Sequence, residues 1–530
     1  MVRAVADEGQ PRPRLDFAAE AERCPDCGGP LRVHKSRRRQ VVTLAHGPLE
    51  IREVHMRCRA GCCSPLRSEA LARLVKPGQK YGYDLVVHVG LSRYLAGLQR
   101  EEIRGLLRDD HGIELSAGSV SALCDRFLGY LEALHIARAP VLREALEEGY
   151  PLHIDATCEK GKGGLFVCLG GWRGWVLGAA RIASEKGETL APVVNEVVEH
   201  FGRPIATVRD MGEGGAHAVA SLRDAGVPDL VCHYHFLAAV GKKLLKKYYD
   251  RLCKQISRSG CRAEMRVLLR DLRRYSEMHS AQARFGRGKM REALKALVLW
   301  VLEGDGHSDA LFPFSLPHLD FARRCQQAMQ KSESWVCRPR SAPEKRALVF
   351  LEQLTSRLGT EPGVGKAVTE LEERWIAFCE LRGVLRLTNA ELPRGDTRSV
   401  QEHLPALELL RLQQIKQAVD QYADDLEQRI PVQFRRKPKS WNSPAGIILR
   451  YLRKHGPRLF GHPAKLDEHG RVVAVVGRTN NVLEHFFGSQ KQQLRRRVGR
   501  GQLGRDLDKQ PAQVALVANL RDPEYVRLLA

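Results

Sequence analysis

Two short apolar runs that each end on an aspartate constrain this chain more than any other feature. Residues 150–156 read Tyr-Pro-Leu-His-Ile-Asp-Ala and end near Asp155, and residues 204–210 read Pro-Ile-Ala-Thr-Val-Arg-Asp and end on Asp210. Short apolar runs bounded by turn residues are typical of buried strands. The sequence therefore predicts two buried strands that each carry a carboxylate at the carboxyl end.

The segments around these runs predict a mixed α/β domain over residues 148–241. Three further strands are expected at 163–170, 175–182 and 229–232, and two helices at 188–201 and 216–225, from apolar runs and from apolar residues at helical spacing. The order is strand, strand, strand, helix, strand, helix, strand. This order predicts a ribonuclease H-like core, in which the first and fourth strands are neighbours and can bring Asp155 and Asp210 together.

A third acid lies far downstream, in a segment that reads Thr-Asn-Asn-Val-Leu-Glu and ends on Glu484. We expect Thr479 or Asn480 to cap a helix there, with Glu484 about 100° from its apolar stripe. Basic residues follow on and after the same helix and are expected to contact DNA phosphates: Lys491, Arg495, Arg496, Arg497 and Arg500. Three converging carboxylates predict a site for Mg²⁺ or Mn²⁺, because hard divalent cations prefer oxygen ligands.

Paired cysteines near the amino terminus predict a zinc ribbon over residues 21–75. Cys24 and Cys27 form one Cys-x-x-Cys knuckle, and Cys58 with Cys62 or Cys63 forms the other, with hairpin-like strands between them. Four thiolates on two knuckles can close a tetrahedral zinc site. Residues 1–20 are polar and rich in proline and arginine, and we expect a flexible tail there.

Residues 80–140 predict a helix-turn-helix DNA-binding domain. Helices are expected at 83–98, 100–110 and 117–134, the last capped by Ser116. The third helix would enter a major groove and contact DNA through Ser119, Ser121 and Arg126. Helical hairpins of other kinds have the same pattern, so this alternative stays open.

The rest of the chain completes the domain organisation. Residues 242–472 are mostly amphipathic and predict a large all-α insertion into the ribonuclease H-like core, and 473–530 supply the closing helix and a basic end. The chain carries 85 Lys and Arg against 62 Asp and Glu, a net charge of +23, which favours a nucleic-acid partner over a generally basic surface. It shows neither an apolar signal segment nor a membrane-spanning run, so a cytoplasmic, nucleoid-associated protein is expected.

Four motifs taken together resemble the DDE transposases of insertion sequences. These motifs are His-Ile-Asp-Ala-Thr at 153–157, Val-Arg-Asp-Met-Gly at 208–212, Cys-His-Tyr-His at 232–235, and Arg-Thr-Asn-Asn-Val-Leu-Glu-His-Phe-Phe-Gly at 478–488. The resemblance is closest to members with a zinc ribbon, a helix-turn-helix and a helical insertion before the final acid. The third motif resembles the Cys-x-x-His element of Mutator-like transposases. The Met-Gly-Glu-Gly-Gly that follows Asp210 departs from the usual turn.

The resemblance implies an activity and its partners. Asp155, Asp210 and Glu484 would bind two Mg²⁺ ions that drive strand cleavage at the ends of a mobile element and then strand transfer, with Cys232 and His235 as accessory residues. The partners would be the double-stranded element ends and target DNA, bound by a homodimer or larger assembly. Two alternatives remain open: a catalytically silent DNA-binding protein derived from a transposase, and a ribonuclease H-like structure-specific nuclease.

Overall fold

The computed structural model is a mixed α/β protein that divides into two compact units. It describes residues 13–146, 149–158, 163–278, 289–304, 312–333, 341–387, 405–431 and 442–530. The first unit comprises Met1–Asp229 and Asn480–Ala530, and the second comprises Leu230–Thr479. The two ends of the chain therefore fold into one unit, and the second unit is inserted between them.

The first unit begins with a three-stranded sheet that carries the cysteine knuckles. Its strands are β1 (Arg14–Ala18), β2 (Leu31–Thr43) and β3 (Gly47–Cys58), in the order β1-β3-β2. The expected hairpin is the antiparallel β2–β3 pair. Strand β1 was not expected, because Arg14–Ala18 falls in the predicted tail; it runs parallel to β3, where Arg14 pairs with Glu50 at 3.0 Å. Residues 1–12 of that tail lie outside the described residues.

A helical segment follows the sheet and agrees closely with the predicted helices. It contains α1 (Glu69–Leu74), α2 (Tyr83–Tyr94), α3 (Arg100–His111), α4 (Ala117–Ala137) and α5 (Ala139–Ala145). Ser116 caps α4 as expected, because its side-chain oxygen accepts a hydrogen bond from the Ser119 backbone N–H at 3.1 Å. Gly112 ends α3 in the left-handed conformation, with φ of 61°, which turns the chain into α4.

A five-stranded mixed sheet follows the helical segment, and four of its five strands lie wholly in the first unit. Its strands are β4 (Pro151–Thr157), β5 (Gly164–Gly170), β6 (Trp175–Ile182), β7 (Ala206–Arg209) and β8 (Asp229–Val231), in the order β6-β5-β4-β7-β8. Strands β4, β5 and β6 are antiparallel neighbours, whereas β7 is parallel to β4. The predicted adjacency of the first and fourth strands is therefore confirmed. The connecting helices are α6 (Gly187–Phe201), α7 (Glu213–Ala218) and α8 (Ala220–Asp224).

The second unit is mostly helical. Its helices are α9 (His233–Ser259), α10 (Cys261–Met278), α11 (Lys289–Glu303), α12 (Pro317–Glu333), α13 (Ala342–Thr360), α14 (Pro362–Val384), α15 (Pro405–Arg429) and α16 (Pro444–His455). The prediction of an all-α insertion over 242–472 missed a small antiparallel sheet of β9 (Ala464–Leu466) and β10 (Val472–Val475). Strand β10 reads Val-Val-Ala-Val after a glycine turn, which is a strand signal.

The carboxyl-terminal segment returns to the first unit and covers one edge of its central sheet. It contains α17 (Asn481–Val498), α18 (Gly504–Lys509), a 3₁₀ helix (Ala512–Arg521) and α19 (Pro523–Leu529). The side-chain amide of Asn519 donates to the Val176 carbonyl at 2.8 Å and accepts from the Val176 N–H at 2.8 Å. It thereby satisfies polar backbone groups that the edge strand β6 would otherwise leave unpaired.

A buried ion pair between Arg209 and Asp229 stabilises the end of strand β7, which Asp210 directly follows. The guanidinium of Arg209 donates to both carboxylate oxygens of Asp229, at 2.7 and 2.8 Å, and both side chains are 2% exposed. The second cation near Asp229 is Arg223, whose side chain is 36% exposed and lies 3.5 Å away. Arg209 therefore supplies the main compensation for a carboxylate that is removed from water.

We expect Arg209→Met to destabilise the first unit by about 3–5 kcal/mol, because it leaves Asp229 buried without its bidentate partner. The matched control is Arg223→Met, which removes the exposed cation from the same carboxylate and is expected to cost less than about 1 kcal/mol. Urea unfolding followed by circular dichroism measures both. Equal losses of unfolding free energy in the two variants would contradict the assignment of Arg209 as the principal partner of Asp229.

Candidate metal centres

The four predicted cysteines converge at one end of the amino-terminal sheet. The sulfur atoms of Cys24, Cys27, Cys58 and Cys62 all lie within 4.8 Å of one another. Sulfur separations are 3.3 Å for Cys24–Cys62, 3.5 Å for Cys27–Cys58 and 3.1 Å for Cys62–Cys27. A tetrahedral zinc ion with Zn–S bonds of about 2.3 Å holds its sulfurs roughly 3.8 Å apart. The cluster therefore has the donor set and nearly the size of a zinc site.

The two knuckles explain how the chain brings the thiols together. The Gly28 N–H donates to the Cys24 carbonyl at 2.9 Å, and the Gly61 N–H donates to the Cys58 carbonyl at 3.0 Å. A Cβ atom at Gly29 would lie 3.2 Å from the Cys27 sulfur, so a glycine lets the backbone pass beside the cluster. Of the two candidates left open for the fourth ligand, the structure places Cys62 in the cluster.

The first knuckle favours a thiolate. Burial acts to raise the pKa of the Cys24 thiol, but backbone N–H groups of Cys27 and Asp26 and neighbouring thiols outweigh it and lower the pKa to about 6. Hydrogen bonding among the sulfurs, first with Cys27 and then with Cys24, raises the pKa of Cys62 instead. Metal ligation requires thiolates, so a cation bound by these four sulfurs would displace their protons.

Two of the three predicted acids lie side by side in the first unit. Asp155 lies near the end of β4 and Glu484 in the first turn of α17, and their carboxylates offer oxygen atoms within 4.8 Å of one another. Asp155 is half-buried and Glu484 is exposed. Two carboxylates at this separation repel each other unless a cation or a proton lies between them. The pair can therefore act as oxygen ligands for a divalent cation.

Asn480 holds Asp155 in place from within the core. Its side-chain amide nitrogen donates to Asp155 Oδ2 at 3.2 Å and to the Ile154 carbonyl at 3.3 Å, and Asn480 is fully buried. Its Oδ1 consequently faces His153 and accepts from the imidazole Nδ1–H at 2.9 Å. Burial lowers the pKa of His153, although the bond to Asn480 acts in the opposite direction. His153 is therefore neutral at pH 7 and keeps this donor role.

The role of Asn480 differs from the predicted one. We expected it or Thr479 to cap α17, but the Asn480 side chain makes no capping hydrogen bond. It is turned instead toward strand β4 and joins the strand that carries Asp155 to the helix that carries Glu484. The repeated Asn-Asn before the acid was the only sequence signal for this role.

We expect Asn480→Ala to weaken Mn²⁺ binding by about 10–100-fold, the usual effect of removing a residue that orients a metal ligand. It should also cost about 1–3 kcal/mol of stability, since buried polar groups lose their partner. The matched control is Asn481→Ala at the neighbouring exposed position, which should change neither property. A stability loss without any loss of Mn²⁺ affinity would contradict a positioning role for Asn480.

Asp210 lies at the same edge of the sheet, but its carboxylate is hydrogen-bonded within its own loop. His153 on β4 is paired with Val208 on β7, and continuing this register by two residues places Asp155 beside Asp210. The Asp210 Oδ1 atom accepts a hydrogen bond from the Gly212 N–H at 2.9 Å. Among the described residues, Asp210 does not join Asp155 and Glu484 in a group within 4.8 Å. The backbone therefore brings Asp210 to the edge of the sheet that carries Asp155, whereas its Oδ1 atom is hydrogen-bonded within its own loop.

The Cys-x-x-His pair belongs to the second unit. Cys232 directly precedes α9 and is 1% exposed, and His235 lies in the first turn of that helix and is half-buried. Cys232 is therefore packed as a structural residue, which is compatible with the accessory role expected from the resemblance.

The residues expected to read DNA on α4 are held by local hydrogen bonds. Ser119 bonds to the Ser116 hydroxyl at 2.9 Å, and the Ser121 hydroxyl donates to the Ala117 carbonyl and accepts from Arg100 at 3.1 Å. Arg126 is half-buried. The predicted base contacts therefore remain predictions that require these side chains to exchange partners.

The basic cluster on α17 divides into exposed and buried members. Arg495, Arg496 and Arg500 are exposed, and Lys491 is half-exposed. Arg497 was expected to contact DNA, but it is 6% exposed and lies over the Tyr94 ring at 5.0 Å, with a bond to Gln510 at 3.1 Å. Burial lowers its pKa to about 10. Arg497 is therefore a packing residue in this structure, because its position on α17 faces α2.

Comparison with known proteins assigns no family to this chain, so its function is inferred from the residues of the site. No family model matches the sequence, and no characterised protein matches it. Among the described helices, none combines the length and apolarity needed to cross a membrane.

Proposed function

We propose that the chain is a DNA transposase with a ribonuclease H-like core and a catalytic triad of Asp155, Asp210 and Glu484. The single observation that carries the proposal is the approach of Asp155 and Glu484 to within 4.8 Å, although they belong to distant parts of the sequence. The parallel β4–β7 pair, which carries Asp155 and leads into Asp210, supports the third member. The strand order β6-β5-β4-β7-β8 supports the ribonuclease H-like core.

Oxygen donors from a strand and a helix fit Mg²⁺ or Mn²⁺, which take carboxylates and leave positions for water and phosphate. Two such ions roughly 3.5–4 Å apart would activate a water or a 3′-hydroxyl for attack on a phosphodiester. Asp155 contributes a carboxylate that Asn480 fixes in orientation. Glu484 contributes a carboxylate from the solvent-exposed side, where a DNA strand can approach. Asp210 would have to exchange its bond to Gly212 for the metal.

The amino-terminal half of the first unit is proposed to bind the element ends. The cluster of Cys24, Cys27, Cys58 and Cys62 supports a zinc ribbon. Helices α3 and α4, joined through Gly112, support a helix-turn-helix. A protein of this kind would act in the cytoplasm at the nucleoid, as a dimer or larger assembly that holds two DNA ends.

A cleavage assay tests the proposal. The substrate is duplex DNA that carries the sequences flanking the gene, incubated with purified protein and Mg²⁺ or Mn²⁺. We expect metal-dependent nicks at the element ends, followed by joined strands when target DNA is added. Protein that binds these ends but leaves them intact with either metal would contradict the proposal.

The orientation of Asp210 gives specific support to the second candidate, a catalytically silent DNA-binding protein. Its carboxylate is engaged by its own loop, and an enzyme that never recruits it would lack one of its three acids. A third candidate, a ribonuclease H-like structure-specific nuclease, predicts nicks without joined strands in the same assay.

A further inference from the structure

Helix α9 presents a row of exposed cations that the proposed catalytic machinery does not use. The helix contains seven Lys and Arg residues and one acid, Asp250. Of these cations, Lys243, Lys247, Lys254 and Arg258 are all exposed. No carboxylate in the described part of the chain lies within ion-pair distance of any of these four. We call them the α9 row.

The α9 row is straight and has one orientation. With about 100° per residue and 1.5 Å of rise, its four positions fall within an arc of about 60° and extend for about 22 Å. The exposed acid Asp250 lies about 20° outside this arc, beside the middle of the row, where its carboxylate is bonded to Lys246 at 3.1 Å. The opposite face of the helix is buried through Leu245, Leu252 and Ile256. The row therefore projects from a fixed support, and its side chains can reach outward together.

The other two exposed lysines on the helix differ from the row in orientation or in pairing. Lys242 lies about 100° and Lys246 about 60° from Lys243 around the helix axis. Lys246 is bonded to Asp250 at 3.1 Å, so part of its charge is already compensated. These two lysines provide an internal comparison on the same helix.

The spacing of charges in the row favours a polyanion as its partner. Lys243 with Lys247, and Lys254 with Arg258, are like-charge pairs four residues apart, which destabilise a helix in the absence of counter-charges. Duplex DNA carries one negative charge per about 1.7 Å of its axis and is stiff over the length of the row. A straight row of long cationic side chains matches such a rigid line of phosphates.

The geometry points to the α9 row as a second DNA-contact surface, which binds the phosphate backbone of duplex DNA without regard to sequence. The identification of the polyanion as DNA rests on the proposed function. The charge pattern itself is observed independently of that function. The row lies in the second unit and shares no residue with the segments proposed to form the zinc ribbon, the helix-turn-helix and the basic end of α17.

The test compares two variants of the full-length protein. The row variant is Lys243→Gln, Lys247→Gln, Lys254→Gln and Arg258→Gln together, and the matched control is Lys242→Gln with Lys246→Gln. Affinity for a 40-base-pair duplex of arbitrary sequence is measured between 50 and 200 mM salt. Each phosphate contact contributes about −0.9 to the slope of log affinity against log salt, so the row variant should have a slope smaller by about 3.6.

The expected result is a clear reduction for the row variant and a much smaller one for the control, with the same melting temperature for both. An unchanged slope, or equal changes per charge removed in the two variants, would overturn the proposal. A loss confined to single-stranded DNA would overturn the assignment to a duplex. The assay measures binding and not cleavage. It therefore tests the α9 row even if the protein has no transposase activity.

Discussion

Asp155→Asn is expected to lower the rate of metal-dependent DNA cleavage by more than about 100-fold. Substituting a residue that only orients a metal ligand typically costs about 10–100-fold, and Asp155 is proposed to be a ligand itself. The substitution keeps the size of the side chain and a hydrogen-bond partner for Asn480, but it deletes the negative charge that opposes Glu484. Without that charge the proposed site keeps only Asp210 and Glu484, and it should bind divalent cations too weakly to support the reaction. Gel assays of nicked and joined strands with Mg²⁺ and Mn²⁺ measure the loss.

The matched control for Asp155 is Glu199→Gln, at an exposed acid on α6 that is not among the residues grouped as candidate metal ligands. It should cleave like the wild-type protein, and both variants should bind duplex DNA with unchanged affinity. Binding that survives while cleavage is lost assigns Asp155 to chemistry rather than to folding. Asp155→Asn with more than about a tenth of wild-type cleavage would contradict its role as a metal ligand.

Cys58→Ala is expected to release one zinc ion per chain and to unfold the amino-terminal sheet. Structural zinc contributes an apparent binding free energy of about 10–16 kcal/mol in small zinc-finger peptides, most of which appears as folding stability. The apolar core that would remain is small: Val41, Leu49, Ile51, Leu71 and Val75. A core of this size rarely sustains a sheet without a metal or a disulfide.

Cys63→Ala is the matched control, because Cys63 is buried beside the cluster but is not one of its four members. It should retain stoichiometric zinc and resist limited proteolysis between residues 13 and 75. Metal analysis and protease mapping measure both variants. Loss of zinc from Cys63→Ala together with its retention in Cys62→Ala would reassign the fourth ligand.

Local patterns in the sequence were sufficient for most helices of the first unit, for the strands of its central sheet and for the cysteine cluster. Helices α2, α3 and α4 follow from apolar spacing and from the cap at Ser116, and the cysteine knuckles follow from short spacings within one hairpin. These features depend on residues that are close in sequence. Strand β1 escaped prediction because its alternation, Arg-Leu-Asp-Phe-Ala, is short and its partner β3 lies more than 30 residues away.

At the candidate site, the features that sequence reasoning missed are long-range contacts of polar side chains. Asn480 reads as a helix cap, and only the packing of α17 against β4 reveals that it holds Asp155. Arg497 reads as part of a basic surface cluster, yet the turn of the helix buries it over Tyr94. Neither distinction follows from spacing, because each depends on which face of α17 meets the rest of the unit.

In the proposed transposase, Asp155, Asp210 and Glu484 together hold the catalytic metal. Anomalous diffraction from crystals of the protein grown with duplex DNA and Mn²⁺ tests it most directly. We predict a Mn²⁺ peak coordinated by Asp155 and Glu484, with Asp210 released from the Gly212 N–H to complete the ligands. Saturating Mn²⁺ with no peak at these carboxylates, or a peak held by other residues, would contradict the claim.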